Sequence, residues 1–88
     1  MKLAEIIEEA GLNPKDYPIA EHFSVISPEG TTAAEIGRLL GKNSSTLKHF
    51  IATLHFAELE NLDPLNIRVS DKAIQICYGK NYGTTLFF

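Results

Sequence analysis

A single cysteine, Cys77, stands in the whole sequence. A lone thiol cannot close an internal disulfide, so the fold is held without one and a reducing compartment is the simple expectation. No apolar run approaches the roughly 20 residues that cross a bilayer. The opening MKLAEIIEEAG breaks its apolar residues with glutamates, unlike the unbroken stretch of a secretory leader. A cytoplasmic location is therefore expected.

Metal-ligand spacing is missing too. His22, His49 and His55 include no pair at the i, i+4 spacing of a helical zinc site, and Cys77 has no neighbouring thiol. GRLLGKNS, Gly37 to Ser44, only brushes against a phosphate-binding loop. That loop needs four residues between its glycines and Ser or Thr directly after Lys, whereas three residues separate Gly37 from Gly41 and Asn43 follows Lys42. No metal, nucleotide or other cofactor is expected, and no catalytic triad or Cys-His pair can be argued, so the chain is not read as an enzyme. Internal repeats, low-complexity runs and linkers are also absent.

Cations are scarce. Eight Lys and Arg face eleven Asp and Glu, for a formal charge of −3, which disfavours non-specific attraction to nucleic acid. The charge is uneven, however. Residues 1–30 hold Glu5, Glu8, Glu9, Asp16, Glu21 and Glu29 against Lys2 and Lys15, while residues 31–54 hold Arg38, Lys42 and Lys48 against Glu35 alone. Local field governs a docking surface more than total charge does.

What is present suits one small domain over residues 1–88. Leu3, Ile6, Ile7 and Ala10 recur at helical spacing, and Gly11 can cap the helix they form. NPKDYP then reads as a turn. PIAEHFSVIS, residues 18–27, reads as a second helix with Pro18 at its first position and Ile19, Phe23 and Ile26 on one face. Thr32 followed by Glu35 has the capping-box pattern, and Ala33, Ile36, Leu39 and Leu40 give the buried face of a helix ended by Gly41. Asn43 can cap a further helix to about residue 57, with Leu47, Phe50, Ile51 and Leu54 inward. Past Pro64 the period changes to two. Ile67 and Val69, then Ile74, Ile76 and Tyr78, alternate with polar neighbours about the SDK turn. A hairpin over about 66–78 is expected, with a third strand over 84–88.

The stretch TAAEIGRLLGKNSSTLKHFIATL thus contains a scaffold helix, a short GKN connection and a second helix with one apolar and one polar face. It resembles the scaffold helix, turn and recognition helix of the winged helix-turn-helix DNA-binding family, as in bacterial regulators. Lys42 departs from the apolar residue usual in such turns, and the hairpin is poor in arginine. The resemblance implies an α+β fold: a three-helix core, a C-terminal β-hairpin wing and an extra N-terminal helix, with the helix-turn-helix over 32–57. It implies that Ser44, Ser45, Lys48 and His49 face the major groove of double-stranded DNA. Thr32 and Arg38 would lie near the phosphate backbone, Lys42 would add positive charge, and Lys72 would sit at the wing tip with Arg68 on the strand before it.

The expected function is a small DNA-binding protein acting in transcription regulation. Few bases are within reach of one copy, so a homodimer is expected, through the N-terminal helix or the C-terminal strand. A second reading stands beside the first: a winged-helix module that binds another protein through its acidic surface, as an adaptor or inhibitor from a mobile element would. Acidic residues Glu58, Glu60 and Asp63 discriminate the two by whether they flank the polar helix face.

Overall fold

The computed structural model describes all residues from Met1 to Phe88. In chain order they form α1 (Leu3–Glu9), two 3-10 turns (Pro14–Asp16 and Pro18–His22), β1 (Ser24–Ile26), α2 (Ala33–Lys42), α3 (Ser44–Leu59), β2 (Pro64–Val69), β3 (Ala73–Tyr78) and β4 (Tyr82–Phe87). The class is α+β, with three α-helices on one face of a four-stranded mixed sheet. No helix is long and apolar enough to cross a membrane.

Two helices end by the same device. Gly11 takes a left-handed φ of 88°, its N–H donates to Glu8 O at 3.0 Å and the Leu12 N–H donates to Ile7 O at 3.1 Å. Asn61 repeats this after α3 with a φ of 51°, its N–H on Glu58 O and the Leu62 N–H on Ala57 O. These are Schellman closures, which satisfy the last carbonyls and bring the following leucine back onto the core. The expectation at Gly11 holds, while α3 runs two residues past 57, to Leu59, before Asn61 closes it.

Residues 18–27 are not a helix. Pro18 starts a 3-10 turn that lasts to His22, and Phe23 is already extended at φ −92°, ψ 135°. Ser24–Ile26 then pairs in parallel with Asn66–Arg68. The β-branched pair Val25 and Ile26 fits a pleated strand, and ladder bonds to a distant segment outweigh the local helical spacing. Ala20 and Phe23 are buried, but Ile26 lies exposed on the open side of the sheet. Three α-helices result rather than four, and α1 belongs to the core instead of being added to it.

Gly41 does not end its helix. α2 passes through it to Lys42, and Asn43 alone separates α2 from α3. The Asn43 N–H donates to Leu40 O at 3.1 Å, and its Oδ1 accepts from the Thr46 N–H at 3.2 Å. One residue thus closes one helix and caps the next. Gly37 of α2 serves packing instead. A Cβ added at Gly37 would meet Glu9 Cβ at 2.3 Å, so α1 can lie where it does only because Gly37 has no side chain.

The expected hairpin is present as β2 and β3, and the third strand as β4. The sheet order is β1-β2-β3-β4, parallel between β1 and β2 and antiparallel elsewhere. Both outer edges of the hairpin are occupied, that of β2 by β1 and that of β3 by β4. Pro64 opens β2, a first-strand position where the missing N–H is tolerated. Ile67, Val69, Ile74, Ile76, Tyr78 and Leu86 point to the helices and are buried with Leu3, Ile6, Ile7, Ile36, Leu40, Phe50 and Leu54.

Candidate nucleic-acid interface

The α2–α3 corner is exposed at Lys42, Ser44 and Ser45, and Lys48 and His49 follow one turn later, also exposed. Their exposure follows from what α3 buries. Phe50, Leu54 and Ala57 are inward, and so are Thr46 and Thr53, while Leu47 and Ile51 are only half-buried. Both buried threonines are satisfied. Thr53 Oγ1 donates to His49 O at 2.9 Å and Thr46 Oγ1 donates to Phe87 O at 2.8 Å.

Lys72 comes to the same corner through the backbone. It sits in a turn in which Ser70 Oγ accepts from the Lys72 and Ala73 N–H groups at 3.2 and 3.1 Å. The Lys72 carbonyl accepts from the Phe88 N–H at 2.9 Å. Phe87 O and Phe88 N belong to one peptide group, so that group links the first turn of α3 to the β2–β3 turn. The Lys72 backbone is thus tied to the start of α3, along which Ser44, Ser45, Lys48 and His49 are exposed, with Lys42 just before it. Arg38 lies one turn back on α2, its Nε donating to Ala34 O at 3.3 Å, and shares a shallow groove with Glu35, Leu39 and Lys42.

Two of the expected residues stand apart. Thr32 is at the other end of α2, where its hydroxyl accepts from the Glu35 N–H at 3.3 Å as a helix cap. Arg68 is exposed on the face of the sheet turned away from the helices, between Ile26 on β1 and Gln75 on β3. Sequence alternation puts Arg68 on the polar side of its strand but cannot tell which way that side looks.

Charge is uneven along α3. No carboxylate lies in its first turn and no cation in its last. Lys42 ends α2, where a cation suits that helix's dipole, and Lys48 lies in the second turn of α3. Glu58 and Glu60 stand at the negative end of α3, where carboxylates oppose its dipole. The first turn also directs the Ser44 and Ser45 amides out of the helix end, where they can meet an anion. Glu58, Glu60 and Asp63 are exposed but lie at the far end of α3 from Lys48. On the other side of α2, Glu9 packs against Gly37.

The three histidines do not converge. His22 lines a cleft with Glu58 and Asn61, His55 stands with its ring centroid 5.5 Å from that of Tyr17, and His49 is on the corner just described. No group of three His, Cys, Asp or Glu side chains gathers in one place. Asn43 and Thr46 are the site residues that periodicity misses. Asn43 is legible as a cap, whereas the Thr46 tie to Phe87 joins segments too far apart in sequence to be read. No protein-family model, curated protein or solved structure matches this chain.

Proposed function

We propose that this chain is a winged helix-turn-helix protein without catalytic activity, which binds double-stranded DNA and acts in transcription regulation. α3 enters the major groove from its N-terminal end. Ser44 and Ser45 are small enough to let the helix approach base edges, Lys48 neutralises a phosphate or reads guanine, and His49 hydrogen-bonds a base or phosphate. Lys72 meets the flanking backbone from the β2–β3 turn. Thr32 and Arg68 take no part in this docking, because the one is used as a cap and the other faces away.

The observation that carries the reading is the run of exposed Lys42, Ser44, Ser45, Lys48 and His49 about the start of α3, with Glu58 and Glu60 kept at its other end. Cations beside the free amides of a helix N-terminus give a local field that attracts polyanions. The test is fluorescence anisotropy of a random duplex pool titrated with the protein at several salt concentrations. Binding should weaken linearly in log salt. A duplex that stays free even at low salt removes the groove-docking mechanism.

A further inference from the structure

The two edges of the sheet are unlike. β1 is three residues long and runs into Pro28 and Glu29. Shortness, proline and charge are what keep an edge strand from pairing with another chain. β4 has none of these. Its six residues, YGTTLF, carry no charge and no proline, and its ladder with β3 is regular from Ala73↔Phe87 to Tyr78↔Tyr82.

Along an antiparallel strand, successive residues direct their N–H and C=O groups alternately toward the neighbour and away from it. The Phe88 N–H bonds to Lys72 O on the β3 side. Tyr82, Thr84 and Leu86 share that orientation, so the backbone groups of Gly83, Thr85 and Phe87 face the outer edge. The Phe87 carbonyl is held by Thr46 Oγ1. The N–H and C=O groups of Gly83 and Thr85 make no bond to any turn, loop or cap.

We propose that β4 is the pairing edge of a homodimer, in which two copies join antiparallel about a two-fold axis at Thr84. Gly83 of each copy pairs with Thr85 of the other, and the two sheets become one. A second copy is the occupant because the free groups are self-complementary. Donors and acceptors lie equally spaced on either side of Thr84, and a half-turn presents the same pattern back. Neither copy brings a charge to the seam. Tyr82, 54% exposed in the single chain, comes opposite the partner's Leu86. The join rests on the strand edge alone and is independent of the DNA reading.

Sedimentation equilibrium over a wide range of protein concentration, without DNA, tests it. The wild-type chain should be a reversible dimer. Thr85→Pro removes an N–H that faces the seam and makes no bond to β3, a substitution that edge strands tolerate. It should weaken dimerisation about tenfold or more while leaving the circular dichroism spectrum unchanged. Thr85→Lys keeps the backbone donor and sets like charges across the seam, so it should weaken the dimer even if the proline variant fails to fold. In a Cys77→Ser background, Thr84→Cys should form a disulfide-linked dimer on oxidation. Directly opposed residues of this kind have Cα atoms about 4.5 Å apart, within disulfide reach. A wild-type chain that stays monomeric, folded Thr85 variants that associate as the wild type does, or a dimer that Thr84→Cys cannot cross-link would each overturn the β4 pairing.

Discussion

Thr46 and Lys72 hold the same peptide group from its two sides. The Thr46 hydroxyl donates to Phe87 O at 2.8 Å, and Lys72 O accepts from the Phe88 N–H at 2.9 Å. The first turn of α3 and the β2–β3 turn are thereby kept in register by the end of β4. Thr46→Val, which keeps the shape and removes the donor, should lower stability by about 1–2 kcal/mol. Thr46→Ser should recover most of that loss. Urea denaturation of the three proteins measures the difference, and amide exchange at Phe88 should quicken in the valine variant alone.

The two glycines of α2 should respond oppositely to alanine. At Gly37 the new Cβ meets Glu9 Cβ at 2.3 Å and the Glu9 carbonyl carbon at 2.8 Å. Overpacking of that kind costs about 1–3 kcal/mol and outweighs the gain in helix propensity. At Gly41 the nearest atom is Ala10 O at 3.8 Å, an ordinary contact. Gly41→Ala should therefore stabilise the protein by up to about 1 kcal/mol. Thermal melts of both variants decide, and equal effects would mean that α1 does not lie against Gly37.

Asn61 closes α3 in a left-handed conformation that a side chain resists. Asn61→Ala should cost about 1 kcal/mol. Asn61→Gly should be neutral or stabilising, since glycine is the usual residue at this position. Paired denaturation curves test this, and the alanine variant should also show faster amide exchange at Leu62.

Lys48 and Arg68 separate the interface from the open face of the sheet. Lys48→Ala should reduce the slope of log affinity against log salt by about one, the signature of one lost phosphate contact. Arg68→Ala should leave that slope unchanged, because Arg68 lies on the far side of the sheet from α3. A loss of slope on removing Arg68 and not Lys48 would place the duplex on the other face.

Elements whose pattern is carried by near neighbours are legible in the sequence. α1 follows from Leu3, Ile6 and Ile7, α2 from Ile36 and Leu40, and α3 from Phe50 and Leu54. The β2–β3 hairpin follows from the alternation of Ile67, Val69, Ile74 and Ile76. Where the deciding contact is distant, periodicity misleads. Ile19, Phe23 and Ile26 have helical spacing, yet pairing with Asn66–Arg68 draws Ser24–Ile26 into a strand. Gly41 resembles a helix stop, but α2 passes through it to Lys42 and Asn43 closes the helix. Of the candidate site, the cations about α3 are legible because they lie on its polar face. The exclusion of Thr32 and Arg68 is not, because it depends on which way a helix end and a sheet face look.

The parallel pairing of β1 with β2 bears on how the chain acquires its shape during synthesis. Ser24–Ile26 has no strand to join until Asn66–Arg68 exists, about forty residues later. A nascent chain therefore carries β1 as an edge still waiting for its neighbour while α2 and α3 are being made. Closing that long loop costs entropy that nearby contacts do not repay. The β2–β3–β4 meander is local and comes together quickly once emitted, so docking of β1 is expected to be the last and slowest step, and the stage most exposed to capture by a chaperone.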